Sequence, residues 1–538
     1  MKKLINKIKN KIQDPNKSIF YEESSNNEQY ISKKVDENEK TLKNEIFSNN
    51  EGDLEYRTLY INDSNNKKIK ILLVFVDSLT DDQIINEDIL KPLMLEQRAA
   101  NISIEPSKEL SKSLGERVLN VSDVSYENIM NTVVEKILDG YTAVFVEGSP
   151  ECIIADTKGW DERAVSEAEA ERTIRGPQTG FNENIKASMG LIRRRIKSPE
   201  LKVKQFVIGR RSKTKVNVLW MEGICNEKII QEVTRRLDSL DVDQLICATN
   251  LSEMIDDNPL SPFNSQFLTE RPDVASAGLL EGRAAVLIDG TVTSLIVPML
   301  FIENLISPAD FYGRYHYIFI VRWIRYVAAI ISEALPAFYV SVISFHPEII
   351  PTILAARVYG SREGVPFPAF IEMIIVGVFF ESLREAGATI PLAFGSAVSI
   401  IGALILGQQV VEAGIISSIG VIIGAVTGIS SFLIPNVEFT RSLILPRFIF
   451  TILAALLGMY GVMAGVLLML YHLASMRSFG VPYLSPMAPF ELADIKAFIM
   501  RTPYFLQGGR PKSFEAKDKK RQSPKLSKFF FKYKITEE

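Results

Sequence analysis

Charge is distributed along this chain as a step. Nearly every Asp, Glu, Lys and Arg lies before residue 315 or after residue 490, and the stretch between is built from Ile, Leu, Val, Ala and Gly. A run of about 20 apolar residues is enough to cross the hydrocarbon of a bilayer. The second half holds several such runs, so the slightly positive mean hydropathy averages two different materials. The expected fold class is an α/β soluble N-terminal region of two small subdomains followed by a polytopic α-helical membrane domain. A formal net charge of -3 gives no nucleic-acid-binding surface. Cys152, Cys225 and Cys247 are far apart and form no CxxC pair, too few for a disulfide framework or a zinc site.

The segment order follows from local texture. Residues 1–67 are rich in Asn, Lys, Glu and Ser and bury too little apolar surface to offset their ordering entropy, so they read as a disordered extension. Within them Leu4–Ile12 could form a short basic amphipathic helix. The start MKKLINKIKNKIQDPNK has no apolar core and no small-residue cleavage site, so it does not read as a signal peptide and the first half is expected in the cytosol. Residues 68–175 read as a first α/β subdomain. IKILLVFVDSL (69–79) has the pattern of a buried strand, 122–140 of a helix capped by Ser125, and 141–148 with 151–159 of a hairpin. Residues 176–314 read as a second one. It has helices over 180–198 and 226–240, strands over 201–211 and 214–224, and a hairpin over 282–298 turning at Asp289-Gly290.

Residues 315–490 form the expected membrane domain and 491–538 a basic cytosolic tail. A first span is placed at about 326–345, with Arg322 and Arg325 at the inner interface. The segment 369–388 carries Glu372, Glu381, Arg384 and Glu385, charges that have to face protein or water rather than lipid. Uncharged Gly- and Ser-rich spans follow at 391–411 and 415–435, and a final one lies within 442–476. Placing both ends inside the cell requires an even number of crossings. Five apolar segments therefore imply four full crossings, with 369–388 re-entrant or lying along the interface.

Chemistry of the catalytic kind is missing from the sequence. It has no Walker A loop, no GxSxG and no HExxH, and His316, His346 and His472 are scattered. No catalytic residue, metal or cofactor is expected, and signal transfer or transport fits better than an enzyme.

Four stretches carry a resemblance. ERTIRGPQTGFNENI (171–185), IIPTILAARVYGSREGVPFPAFIE (349–372), FFESLREAGATIP (379–391) and GSAVSIIGALILGQQVV (395–411), in that order, resemble the A subunit of GerA-type spore germination receptors over roughly residues 110–490. The resemblance implies a multi-pass protein of the spore inner membrane with its N-terminal region and tail on the cytosolic side. It implies a transporter-like B subunit and a lipoprotein C subunit as partners, and contact with membrane lipid but not with nucleic acid. It also implies a homo-oligomer that conducts monovalent cations when germinant is sensed. A non-conducting scaffold is the alternative reading. A secondary transporter is weaker, because no inverted repeat is visible.

The matched motifs supply candidate site residues. Glu381, Arg384 and Glu385 share a helix face and form either a charged pore lining or an ion pair to a neighbouring helix, the latter favoured. Gly395, Ser399 and Gly402 lie on roughly one face, and with Ile401 form a candidate narrow pore and gate. Arg362, Glu363, Pro366 and Pro368 form a loop that either couples motions or acts as a rigid corner. IRGPQTGF (174–181) reads as a rigid turn, with Arg175 in reach of a carboxylate.

Overall fold

The run that reads as a buried strand is apolar on consecutive residues because both of its faces are covered. The computed structural model describes residues 29–522 apart from 51, 63–67, 97–107, 118, 122, 160–166, 169–170, 174, 390–407 and 504–506. The first unit holds a five-stranded antiparallel sheet of β1 (Leu54–Asn62), β2 (Lys68–Val76), β3 (Val124–Glu127), β4 (Tyr141–Val146) and β5 (Cys152–Asp156), in the order β1-β2-β4-β5-β3. Leu72, Val74 and Val76 face α1 (Val35–Lys40) and α2 (Met130–Leu138), while Ile71, Leu73 and Phe75 face a second core with Ile85, Ile89 and Leu114.

Two expectations change here. Residues 35–62 are not an extension: α1 buries Val35, and β1 pairs with β2 over nine residues, from Leu54 opposite Val76 to Asn62 opposite Lys68. The few apolar side chains in this polar stretch are concentrated where they count, with Val35, Leu42 and Phe47 all buried, so mean composition misleads. The helix expected over Leu4–Ile12 lies outside the described residues. Ser125 is not a helix cap but a member of β3 paired with Ile154, and α2 begins after Ile129. The predicted hairpin is present as β4 and β5.

The division between units falls at Gly159, with Asn49–Asp53 belonging to the second. There Asp53 is buried against Arg193, at 2.7 Å. The second sheet comprises β6 (Leu201–Ile208), β7 (Thr214–Met221), β8 (Phe267–Thr269), β9 (Ala284–Ile288) and β10 (Ser294–Val297), in the order β6-β7-β9-β10-β8. This repeats the strand succession of the first sheet. Helices α3 (Ile185–Arg195) and α4 (Glu227–Asp238) begin as Asn184 and Asn226 accept bonds from the amides two residues on, which satisfies exposed donors of the first turn. Helix α5 (Pro272–Leu280) packs with α3 on one face of the sheet, and α4 on the other. The Asp289-Gly290 turn is wider than two residues: Asp289 accepts from the amide of Ile185, and Gly290, at φ +79, donates to Glu183.

Among the described residues, the longer helices that follow are α6 (Tyr315–Phe345), α7 (Ala369–Thr389), α8 (Ser418–Phe432), α9 (Ile444–Leu457) and α10 (Met459–Ser475). Helix α6 starts at Tyr315 and runs through both arginines and Pro336 for 31 residues, or about 46 Å at the α-helical rise. Both Arg322 and Arg325 bond the buried carboxylate of Asp310. The stretch 442–476 is not one span. Gly458, at φ +62, breaks it, and α10 folds back on α9 with Gly465 against Phe450 and Gly461 against Leu453. Positive φ is cheap only for glycine, so the reversal sits there.

Candidate functional site

The helical region buries polar and charged groups beside an apolar core and turns many large apolar side chains outward. Its buried positions include Ser332, Glu333, Ser341, Glu372, Thr427, Ser431, Arg447 and Thr451, whereas Ile320, Ile330, Ile429, Phe432, Leu456 and Leu467 are each more than half exposed. Among the described residues, Tyr315–Phe345 and Val437–Leu457 are long and apolar enough to cross a membrane, and Ser418–Phe432 and Met459–Ser475 are shorter apolar helices. Helices that turn Leu and Ile outward and hold Ser, Thr and charge between them match the solvent order of a bilayer, where polar groups have to find protein partners.

Two internal charge networks result. In the first, Glu372 of α7 is wholly buried. One of its oxygens takes Nη1 of Arg362 at 2.7 Å. The other accepts from the amide of Ser417 at 2.7 Å and from the Ser417 hydroxyl. Arg362 also donates to the Tyr339 hydroxyl of α6 at 3.2 Å and to the carbonyl of Phe367 at 3.3 Å. One guanidinium thus ties its own loop, α6 and the first turn of α7 together, and the carboxylate it holds caps the start of α8. Charge-assisted bonds of this kind are about twice as strong as neutral ones.

In the second, Glu381 of α7 pairs with Arg384 on its own helix and with Arg447 of α9 at 3.1 Å. A cavity of about 30 Å³ borders this group and is lined by Thr427, Ser431 and Thr451 as well, which is room for about one or two waters. Both carboxylate oxygens of Glu333, and Nε and Nη2 of Arg447, are buried with no hydrogen-bond partner.

Helix register places these groups. On α8, Gly420, Gly424 and Gly428 lie four residues apart, and they meet Glu372, Val376 and Phe380 of α7, also four apart. A Cβ at Gly420 or Gly424 would sit 2.1 Å from its neighbour. The two helices therefore pack closely and run in the same direction. The contact of Gly458 with Phe345 puts the far ends of α6 and α9 together. At the other end of the bundle, His472 of α10 bonds Ser261 beside the second sheet at 2.9 Å.

Of the residues proposed from sequence, Arg362, Glu381 and Arg384 enter these networks, while Glu363, Pro366, Pro368 and Glu385 are exposed. Gly395, Ser399, Ile401 and Gly402 lie outside the described residues. Sequence reasoning missed the partners Tyr339, Ser417 and Arg447, and the burial of Glu333 beside them. The available signal was Glu372 itself, a carboxylate in an apolar helix that needed a cation nearby. In the IRGPQTGF turn, Arg175 is exposed, and it is Arg271, 1 % exposed at its side chain, that bonds the Pro177 carbonyl at 2.9 Å. Burial raises the Glu171 carboxyl above its ordinary range even though Thr269 and the Glu270 amide donate to it.

Comparison with known proteins gives a consistent result. Residues 40–513 match the family described as Bacillus/Clostridium GerA spore germination protein. Spore germination protein KA of Bacillus subtilis (strain 168) is 38% identical over 454 residues, covering 84% of this chain and 82% of its own. Spore germination protein A1 of the same strain is 35% identical over 370 residues, 69% of this chain and 77% of its own. A crystal structure of the N-terminal domain of the A subunit of the Bacillus megaterium spore germinant receptor GerK3 is 27% identical, covering 51% of this chain and 98% of that one, at a TM-score of 0.39. With the family match spanning most of its length, the chain belongs to the GerA family of spore germination proteins.

Proposed function

We propose that this chain is the A subunit of a germinant receptor of bacterial endospores, anchored in the spore inner membrane and acting beside a transporter-like B subunit and a lipoprotein C subunit. The observation that carries the membrane part of this reading is the helical region's exposed apolar surface, with ion pairs buried between the helices. The receptor role rests on the relatives named for spore germination.

Six crossings are proposed: α6, α7, the apolar stretch 391–411, α8, the helix ending at Leu457, and α10. The reversal at Gly458 supports this count. It turns five apolar segments into six, so both ends stay on the cytosolic side and 369–388 needs no re-entrant path. The parallel packing of α7 and α8 supports it too, since one crossing has to separate two helices that run the same way.

We further propose that copies of the chain assemble around a cation-conducting path. The cavity beside Glu381 and Arg447 is about 30 Å³, so the path is placed between copies rather than through one. Ile401→Asp and Gly402→Trp are expected to change cation flux from germinating spores while the receptor still assembles. Single-channel recording from the reconstituted receptor is the direct test, and silent bilayers under germinant would remove the channel reading. The scaffold alternative is favoured by one feature. Glu381 holds both Arg384 and Arg447, which locks α7 to α9.

A further inference from the structure

Helix α11 (Leu492–Met500) exposes a largely apolar side. At about 3.6 residues per turn, Leu492, Ile495, Lys496, Ile499 and Met500 fall on one side and Asp494 and Phe498 on the other. Asp494 and Phe498 are buried, whereas Leu492, Lys496 and Met500 are exposed and Ile495 and Ile499 half-buried. The loop before the helix extends this surface, with Met487, Ala488, Pro489 and Phe490 all exposed. Contiguous apolar surface of this kind marks a contact with protein or membrane rather than with water.

Bonds at three points fix which side faces out. Asp494 accepts from the amide and hydroxyl of Ser513 at 2.8 and 2.7 Å. Phe498 packs with Leu300, Ile302 and Phe514, and its carbonyl accepts from Arg322 and, at 3.4 Å, from the Tyr326 hydroxyl of α6. Arg501, just past the helix, donates to the carbonyls of Phe311 and Gly313. Turning the apolar side inward breaks all three.

The contact with α6 identifies what covers this side. Phe498 is seated against residues 322–326 of α6, where Phe319 and Trp323 are exposed, with Tyr315 and Tyr317 exposed in the turns before them. The apolar surface of α11 therefore continues onto the outward surface of α6, at a level rich in Tyr and Trp. Such side chains gather where a helix meets the membrane–water boundary. Nine residues rise about 13 Å as an α-helix, short of the roughly 30 Å of hydrocarbon, so α11 can lie along a bilayer but not cross it. Lys496 is the one charge on the outward side, and a lysine can lay its stem on apolar surface while its ammonium reaches the headgroups.

We propose that α11 and the loop Met487–Phe490 are an interfacial foot that lies in the cytosolic leaflet, with Phe490, Leu492 and Met500 below the lipid phosphates and Lys496 among them. The proposal rests on the crossing assigned above to α6. Because Arg322 and Arg501 tie α11 to the start of α6, the lipid surface then holds the point at which the chain enters the bilayer.

The test uses the full chain with its native cysteines replaced and one cysteine introduced, labelled with bimane. The chain is placed in nanodiscs of phosphatidylcholine and phosphatidylglycerol that carry a nitroxide either near the headgroup end of the acyl chain or near its terminal methyl. Leu492→Cys and Met500→Cys are both expected to lose fluorescence, more to the shallow nitroxide than to the deep one. Ile330→Cys, exposed further along α6, reports the crossing, and Val207→Cys, exposed on β6, reports water; the first is expected to be quenched and the second not. Quenching at Ile330→Cys with none at Leu492→Cys and Met500→Cys would overturn the foot and leave the crossing standing. No quenching at Ile330→Cys, Leu492→Cys or Met500→Cys removes both. A blue-shifted bimane at Leu492→Cys and Met500→Cys that neither nitroxide quenches, with cross-linking between copies through the unlabelled cysteine, assigns this side to a second copy of the chain and also overturns the proposal.

Discussion

Arg362 makes its energetic case through what it leaves behind. With the guanidinium gone, the Glu372 carboxylate stays wholly buried among α6, α7 and the start of α8. Breaking one side of a buried pair costs about 3–5 kcal/mol. Arg362→Ala is therefore expected to lower the melting temperature of the full chain sharply. The double variant Arg362→Ala with Glu372→Gln should recover part of the loss, because a neutral amide can still bond Ser417. A double variant no more stable than the single one would sink the pair's role. Cysteine chemistry gives a second check at this scale. Burial pushes the Cys225 thiol up to about 12 and raises that of Cys152 well above its ordinary value. Only the thiolate reacts, so at pH 8 an alkylating reagent should label half-buried Cys247 first in the folded chain and leave Cys152 and Cys225 until it unfolds. Early labelling of Cys152, read by mass spectrometry, would contradict the first sheet.

Among the elements, the α7–α8 contact is the most exacting. The glycine stripe of α8 exists because Glu372, Val376 and Phe380 occupy the space a Cβ would need. Gly424→Leu forces the helices apart, a strain of about 1–3 kcal/mol for overpacking. Gly360, with open space around it, serves as control: Gly360→Ala should stay within about 0.5 kcal/mol of the parent, as surface substitutions usually do. Melting of the purified chain distinguishes the two, and equal stability would mean that α7 and α8 do not pack in this register. The same stripe places Ser417 on Glu372, so loosening it should also weaken the first charge network.

At the scale of the whole molecule the proposal to check is the number of crossings. Glu363 beside the Arg362 loop and Glu438 before α9 lie at opposite ends of the helical region. With the three native cysteines replaced, Glu363→Cys is expected to label from the outer face and Glu438→Cys from the cytosolic face. Labelling of both from one side would exclude the six-crossing arrangement, whatever its conducting properties.

The partition into a charged α/β first half and an apolar helical second half was legible from residue order alone, because hydropathy and charge are local properties. So were most α/β elements: IKILLVFV as a buried strand, the 141–156 hairpin, and α3 and α4 with their asparagine caps. Failures came where a residue's meaning depends on a distant neighbour. Leu54–Asn62 becomes a strand because β2 offers it nine partners, and Ser125 joins an edge strand because β5 is there to pair with. Gly458 looked like one small residue in a long apolar run until α10 folded back on α9. The candidate charges Arg362, Glu381 and Arg384 were visible, but their partners Glu372, Ser417, Tyr339 and Arg447 sit 10 to 66 residues away. Composition by itself determined how charge and apolar surface divide between the two halves. Tertiary structure alone decided which buried charge neutralises which, since that depends on distances between helices that no local pattern encodes.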